Sequence, residues 1–188
     1  MDDRGPDKTT AIDQFDEWVE ALFDHGRGVP AIDRLMYTLS ELADFSVLWH
    51  LLGTAQGLVL PRGVERALRL SVTLGLESAL VNGAMKSLFR RQRPTVAATR
   101  PFELRVPRTT SFPSGHASAA FVAAALLSDG VAHRRAYYTL ATMVALSRIH
   151  VRIHHASDVA GGVATGIALG ALAKKLWPLE RRWRVQLS

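Results

Sequence analysis

Val159-Ala-Gly-Gly-Val-Ala-Thr-Gly-Ile-Ala-Leu-Gly-Ala-Leu-Ala173 carries no charge and stops at Lys174-Lys175. Gly162, Gly166 and Gly170 recur every fourth residue, so they share one helix face. Small residues so spaced let transmembrane helices approach closely. The whole Val159–Trp177 segment therefore predicts a helix packed on another helix inside a bilayer. Four further apolar runs precede it: Phe45–Leu60, Leu68–Leu88, Ala117–Ala132 and Ala136–Ser147. A bilayer core needs about 20 apolar residues, with a range of roughly 17–25, and several of these runs reach it only by extending into their flanks. A soluble bundle of buried helices is the alternative, but so many runs with so few polar faces in one small chain argue against it. The expected fold is an all-α integral membrane helical bundle of about five to six helices with an amphipathic N-terminal helix.

Composition agrees with that segregated pattern. The 188 residues are 48% hydrophobic and 21% charged, with mean hydropathy +0.08 and formal net charge +6. The length suits one domain. No cysteine is present, which excludes disulfides, thiol nucleophiles and Cys-built metal or iron–sulfur sites. Residues 1–44 hold 11 of the 17 acids but only 4 of the 23 bases. The rest of the chain is strongly basic, which calls for an anionic partner. Its bases sit in short loops between apolar runs, a pattern that fits a membrane protein and excludes a nucleic-acid partner.

The expected division is a polar and amphipathic segment at 1–44, a membrane-embedded domain at 45–178 and a basic tail at 179–188. Near the start, Ile12, Phe15, Trp18, Val19 and Leu22 follow helical spacing, with Asp16, Glu17 and Glu20 between them. Anionic lipid would repel those acids, so the helix is expected to dock on protein. The acidic N-terminus, without an early apolar run, does not read as a secretory signal. Gly26, Gly28 and Pro30 break the chain before a second amphipathic helix from Ala31 to about Asp44.

Loop charge suggests a topology. Arg62, Arg66 and Arg69, then Arg134 and Arg135, then Lys174, Lys175, Arg181, Arg182 and Arg184 would all be cytoplasmic. The loops 89–116 and 148–157 then face outward together. Their own arginines weaken the rule and are taken as functional. Five spans put the N-terminus outside, and a spanning 29–44 helix would put it inside.

Three polar islands interrupt the apolar chain. The first runs from Lys86 through Arg90, Arg91 and Arg93 to Pro94. It reads either as a juxtamembrane basic cluster on lipid head groups or as fixed charge, since Arg offers a planar fork to phosphate oxygens. The second is Pro113-Ser114-Gly115-His116. Amides freed at a helix start make an anion cradle, with His116 beside it as a proton donor; a plain Ser cap with a solvated His is the competing reading. The third is Ser147-Arg148, His154 and Asp158. If this stretch is helical, Asp158 stands one turn from His154 and fixes its tautomer, leaving the other ring nitrogen to attack. On the same assumption, His150, His154 and Asp158 could form a metal face.

Together, Lys86-x6-Arg93-Pro94, Pro113-Ser114-Gly115-His116 and Ser147-Arg148-x5-His154-x3-Asp158 resemble the three-part signature of the type 2 phosphatidic acid phosphatase superfamily. The likeness covers about residues 45–175 and leaves 1–44 without any part of the signature. It implies a membrane phosphatase acting on a lipid phosphate or polyprenyl (di)phosphate through a phosphohistidine intermediate. His154 would be the nucleophile, Asp158 its orienting carboxylate and His116 the acid and base. Lys86, Arg93, Ser114, Gly115 and Arg148 would hold the phosphoryl oxygens. The resemblance implies no metal and no cofactor. It also implies an integral protein of a bacterial cell membrane, with the site on the outer face and a membrane lipid as substrate. His150 and His155 become rim residues that contact substrate, and Glu77 is either functional or paired with a base in the bundle. A polyprenyl-linked sugar phosphate of the decaprenylphosphoryl-phosphoribose type is the alternative substrate. A vanadium haloperoxidase and a non-catalytic lipid-binding protein are the other readings. Specificity is expected in the helix faces and the 95–112 loop.

Overall fold

A computed structural model describes residues 10–95, 100–107 and 109–179, and all regular structure among them is helical. Helix α1 spans Ala11–Asp24. Thr10 caps it reciprocally with Asp13, which satisfies two backbone donors at its start. Pro30 opens α2, Pro30–Leu42, where its missing N–H costs nothing. The turn Asp44–Ser46 leads into α3, Val47–Val59, and Gly63–Ser78 forms α4. Helix α4 passes into a π-helical segment, Ala79–Met85, and a closing turn, α5, Lys86–Leu88. Then come α6, Gly115–Leu127, α7, Arg134–His150, and α8, Ala156–Leu176. With α4 to α5 taken as one rod, the described residues hold 7 helical rods, against five to six expected for the bundle. Five answer to the apolar runs, and the two amphipathic N-terminal helices, which fold onto the bundle, make up the rest.

Helix α6 is the axle. Ala117, Ala120, Val122, Ala123 and Ala124 have no exposed surface, and α8, α7 and α4 pack around them. The predicted glycine seam is real. A Cβ on Gly162 would fall on the Ser114 carbonyl oxygen, and one on Gly166 on the Ser118 carbonyl oxygen, well inside contact distance. Only glycine lets the two backbones meet this closely.

The outer surface is apolar. Leu58 and Val59 on α3, Leu68, Val72 and Leu76 on α4, and Ile167, Leu172 and Leu176 on α8 are exposed. Exposed apolar surface on this scale is what a bilayer covers. Helix α8 is 21 residues long and, among the described residues, is the one helix long and apolar enough to cross a membrane; α6 is apolar but spans 13.

The acidic N-terminus meets the basic core through ion pairs. Asp16 lies 2.5 Å from Arg91, while Glu20 and Asp24 hold Arg27 and Arg152. Helix α1 thus turns its acids toward protein and leaves Ile12, Trp18 and Leu22 exposed. Some loop arginines also find protein partners. Arg69 is buried in α4 and pairs with Asp129 at 2.8 Å, and Arg66 donates to the Asp129 carbonyl. Those two are bundle ties rather than free topological charges, so they count less toward orientation.

Candidate active site

The three polar islands converge. Lys86, Gly115, His116 and His154 line one cavity of about 440 Å³, beside Asp44, Thr109 and the α3–α4 face. The π-helical segment carries Lys86 inward at the end of the α4 rod, where it donates to Thr109 Oγ1 at 3.3 Å. Such segments are frequent at functional sites. Ser114 is the N-cap of α6, so the Gly115 amide stands at a helix start with the positive end of the helix dipole.

His154 does not lie in a helix. Residues 151–155 form the turn between α7 and α8, and Asp158 is at the third position of α8. The expectation of one continuous helix through His150, His154 and Asp158 is therefore corrected, and the metal face it would have made is not assembled. Among the described residues, no group of three His or acidic side chains could hold a metal ion. The pair itself still meets: His154 Nδ1 lies 3.8 Å from Asp158 Oδ2, an ion-pair separation too long for a hydrogen bond. Asp158 Oδ2 accepts the His155 amide at 2.9 Å, and its Oδ1 accepts from Arg91 at 2.8 Å. Both carboxylate oxygens are thereby aimed.

On the opposite edge of the ring, His154 Nε2 lies 3.3 Å from Arg93 Nη1. A guanidinium only donates, so Nε2 is the lone-pair nitrogen and Nδ1, facing Asp158, carries the proton. Burial pushes His154 down to about 3, reinforced by the positive charges of Arg148 and Arg93 and opposed by Asp158. The ring is thus neutral at physiological pH, as a nucleophile must be. Arg93 is further held by the carbonyls of Ile153, Thr109 and Thr110.

Arg148 is wholly buried in α7. One nitrogen donates to the Ser40 hydroxyl and carbonyl, while Nε and Nη2 have no partner. A buried guanidinium with two unsatisfied donors fits an anion with several oxygens. His116 Nε2 is 2.6 Å from Asp44 Oδ1.

Several of these contacts were not legible. Asp44, Ser40 and Asp16 come from the N-terminal segment, which carries none of the motifs. Arg91, left open between a lipid-contacting base and fixed charge for phosphate, bridges Asp16, Ser157 and Asp158. The only signal for it was the charge imbalance between the two parts of the chain. His150 is not a rim residue: it is buried, 2.7 Å from Asp33 on α2 and edge-on to Phe23. His155 stands at the α8 N-cap, at the edge of a shallow acidic pocket beside α1. Glu77 is 3% exposed, its Oε1 has no hydrogen-bond partner, and the charge of Lys86 acts on it from across the cavity wall. Of the expected specificity loop, residues 96–99 and 108 lie outside the described residues, as do residues 180–188 of the tail.

The comparisons agree with this geometry. The family model of the PAP2 superfamily matches residues 66–182. The decaprenylphosphoryl-5-phosphoribose phosphatase of Mycobacterium tuberculosis is 34% identical over 146 residues, covering 78% of this chain and 81% of the relative. Among solved structures, the transmembrane PAP2-type phosphatidylglycerolphosphate phosphatase of Bacillus subtilis superposes with a TM-score of 0.72 at 24% identity, covering 94% of this chain and 91% of the other. LpxE of Aquifex aeolicus gives a TM-score of 0.68 at 26% identity over 85% of this chain and 94% of the other. With its motifs gathered around one cavity and matches of this extent, the chain belongs to the PAP2 superfamily and is a membrane phosphatase that hydrolyses phosphoric esters.

Proposed function

We propose that the protein removes the phosphate monoester from a polyprenyl-linked sugar phosphate through a phosphohistidine on His154. The observation that carries the chemistry is the pairing of two histidines across one cavity, with His154 Nε2 against Arg93 and His116 against Asp44. The substrate class follows the Mycobacterium tuberculosis relative, a decaprenylphosphoryl-5-phosphoribose phosphatase.

In the first step, His154 Nε2 attacks phosphorus and the P–O bond to the alcohol breaks. His116 gives its proton to the leaving oxygen. In the second, His116 takes a proton from water, the hydroxide attacks phosphorus, and the P–N bond breaks to release inorganic phosphate. Asp158 steadies the cationic ring of His154 in between. Lys86, Arg93, Arg148, the Ser114 hydroxyl and the Gly115 amide meet the charge on the phosphoryl oxygens. Asp44 orients His116 and balances its charge when protonated, amid the cations that hold the phosphate. Residues 45–178 thus carry the reacting groups and residues 1–44 brace them. The site faces the outside of a bacterial membrane, where the basic ends of the helices favour the cytoplasm.

The test is phosphate release by detergent-purified protein across prenylphosphoryl-ribose 5-phosphate, polyprenyl diphosphate, phosphatidylglycerol phosphate and phosphatidic acid. His154→Ala is expected to abolish release. His116→Ala is expected to trap an acid-labile phosphoenzyme when p-nitrophenyl phosphate supplies a good leaving group. Full activity of His154→Ala would remove it as nucleophile, and preference for another lipid would overturn the substrate assignment.

A further inference from the structure

We infer that the cavity continues past the phosphoryl site into a hydroxyl-reading subsite on α3 and α4, built around Glu77, that takes a sugar on the leaving-group side of His116. The inference rests on the phosphatase reading above and adds to it the residues that would choose the substrate.

Direction comes from the chemistry. The phosphoryl group is attacked from the His154 side, and the leaving oxygen departs in line on the opposite side, where His116 protonates it. Whatever is esterified to that oxygen must extend beyond His116. The cavity that holds His116 and His154 also has a wall on α3 and α4, where His50, Ser71, Glu77, Ser78 and Asn82 line it beside Leu74 and Gly75. Ser71, Gly75, Ser78 and Asn82 are spaced by four, three and four residues, which makes them one face of the rod. Exposed Leu68, Val72, Leu76 and Leu80 form a separate apolar stripe that runs beside it around the rod. A membrane helix keeps a polar stripe only where something other than lipid meets it.

Glu77 is the independent observation. It is 3% exposed, lines the cavity and leaves Oε1 without a hydrogen bond, with the charge of Lys86 and the likewise unpaired hydroxyl of Ser118 as its polar surroundings. A carboxyl oxygen held this way is an acceptor awaiting a hydroxyl donor. Two further groups suit the same ligand. His50 Nδ1 donates to the Ser46 carbonyl at 2.9 Å, which leaves its Nε2 lone pair to accept. Asn82 Nδ2 donates to Ser78 Oγ at 3.1 Å, so that this amide and hydroxyl are held ready as a pair. A prenyl or acyl chain in this place would desolvate Glu77 and leave it unpaired. A pentose offers vicinal hydroxyls to match it.

The experiment compares kcat/KM on a short-chain prenylphosphoryl-ribose 5-phosphate with that on farnesyl phosphate, in detergent, for wild type, Glu77→Ala and Ser71→Ala. A 2,3-dideoxy analogue of the sugar substrate is run beside them. Glu77→Ala is expected to lower the ratio of sugar to farnesyl phosphate by about tenfold to a hundredfold. The dideoxy analogue should lose a similar factor with wild type and little more with Glu77→Ala, because both changes delete the same contact. An unchanged ratio, or independent losses from variant and analogue, overturns the subsite. So does an equal fall on both substrates, which would mark Glu77 as a structural partner of the neighbouring buried Ser118. If Glu77→Ala does not yield folded protein, Ser71→Ala carries the same comparison, and an unchanged ratio there counts against the subsite. Wild type that hydrolyses farnesyl phosphate without preferring the sugar sinks the subsite alone. Wild type that releases phosphate from neither sinks the phosphatase reading.

Discussion

Asp44 holds His116 at 2.6 Å, and the contact reaches across 72 positions of sequence. Its backbone setting is unusual, since the next two residues, Phe45 and Ser46, both have φ near +50 to +60°. Such conformations cost energy and persist where the surrounding structure demands them. Asp44→Asn keeps the shape but removes the charge that supports a protonated His116. Turnover of an alkyl phosphate is expected to fall by about 10²-fold, within the range of lost acid–base catalysis. The loss should shrink with p-nitrophenyl phosphate, whose leaving group needs little protonation. Equal losses on both substrates would show that Asp44 merely supports the fold. At this scale the motif residues were legible, because chemistry restricts which side chains can bind and attack a phosphate. Their partners were not, because Asp16, Ser40 and Asp44 carry no local mark.

Elements follow from spacing and from what lies opposite. Gly166 sits where α8 crosses the Ser118 carbonyl, with Phe121 Cβ also within contact. Gly166→Leu must push the helices apart, and overpacking of this kind costs about 1–3 kcal/mol or more. Thermal unfolding in detergent should show a clear drop in Tm. Gly83→Ala is expected to leave Tm within about a degree or raise it, since no atom lies within 4 Å of the added methyl group. A Gly166→Leu protein as stable as wild type would refute the seam. Helix α1 carries a different lesson. Its amphipathic spacing was legible, but which face turned inward was decided by charge. Asp16, Glu20 and Asp24 meet arginines of the core, while Ile12, Trp18 and Leu22 face out. Val19 and Phe23 pack inward beside those acids, so the outward apolar stripe is additional to the docking face, and it suits a molecule whose surroundings are lipid.

The molecule as a whole has two ends. The site end gathers the start of α6, the α7–α8 turn and the stretch after α5; the α6–α7 turn lies at the other. Because the chain has no cysteine, single cysteines report each end without background. Arg90→Cys is expected to react with a membrane-impermeant maleimide added to intact cells. Arg135→Cys should react only after the membrane is opened. Both positions are exposed, so accessibility rather than burial decides the result. The reverse labelling pattern would turn the site toward the cytoplasm and end the outer-face assignment.

By itself the sequence marked the helical bundle, a glycine face on α8 and the motif residues proposed to react, because each shows as residue type at a fixed spacing. Apolar runs must be covered, glycines every fourth residue make a flat face, and a phosphate calls for histidine and arginine. Only the tertiary structure decided the break at 151–155, the inward turn of His150 toward Asp33, the Arg91 bridge and the Asp44–His116 contact. These depend on charges far apart in sequence finding each other once water is excluded, and local pattern holds no record of that choice. Glu77 shows the boundary: the sequence marked it as an acid among apolar residues, and the cavity beside His116 was needed to say what it faces.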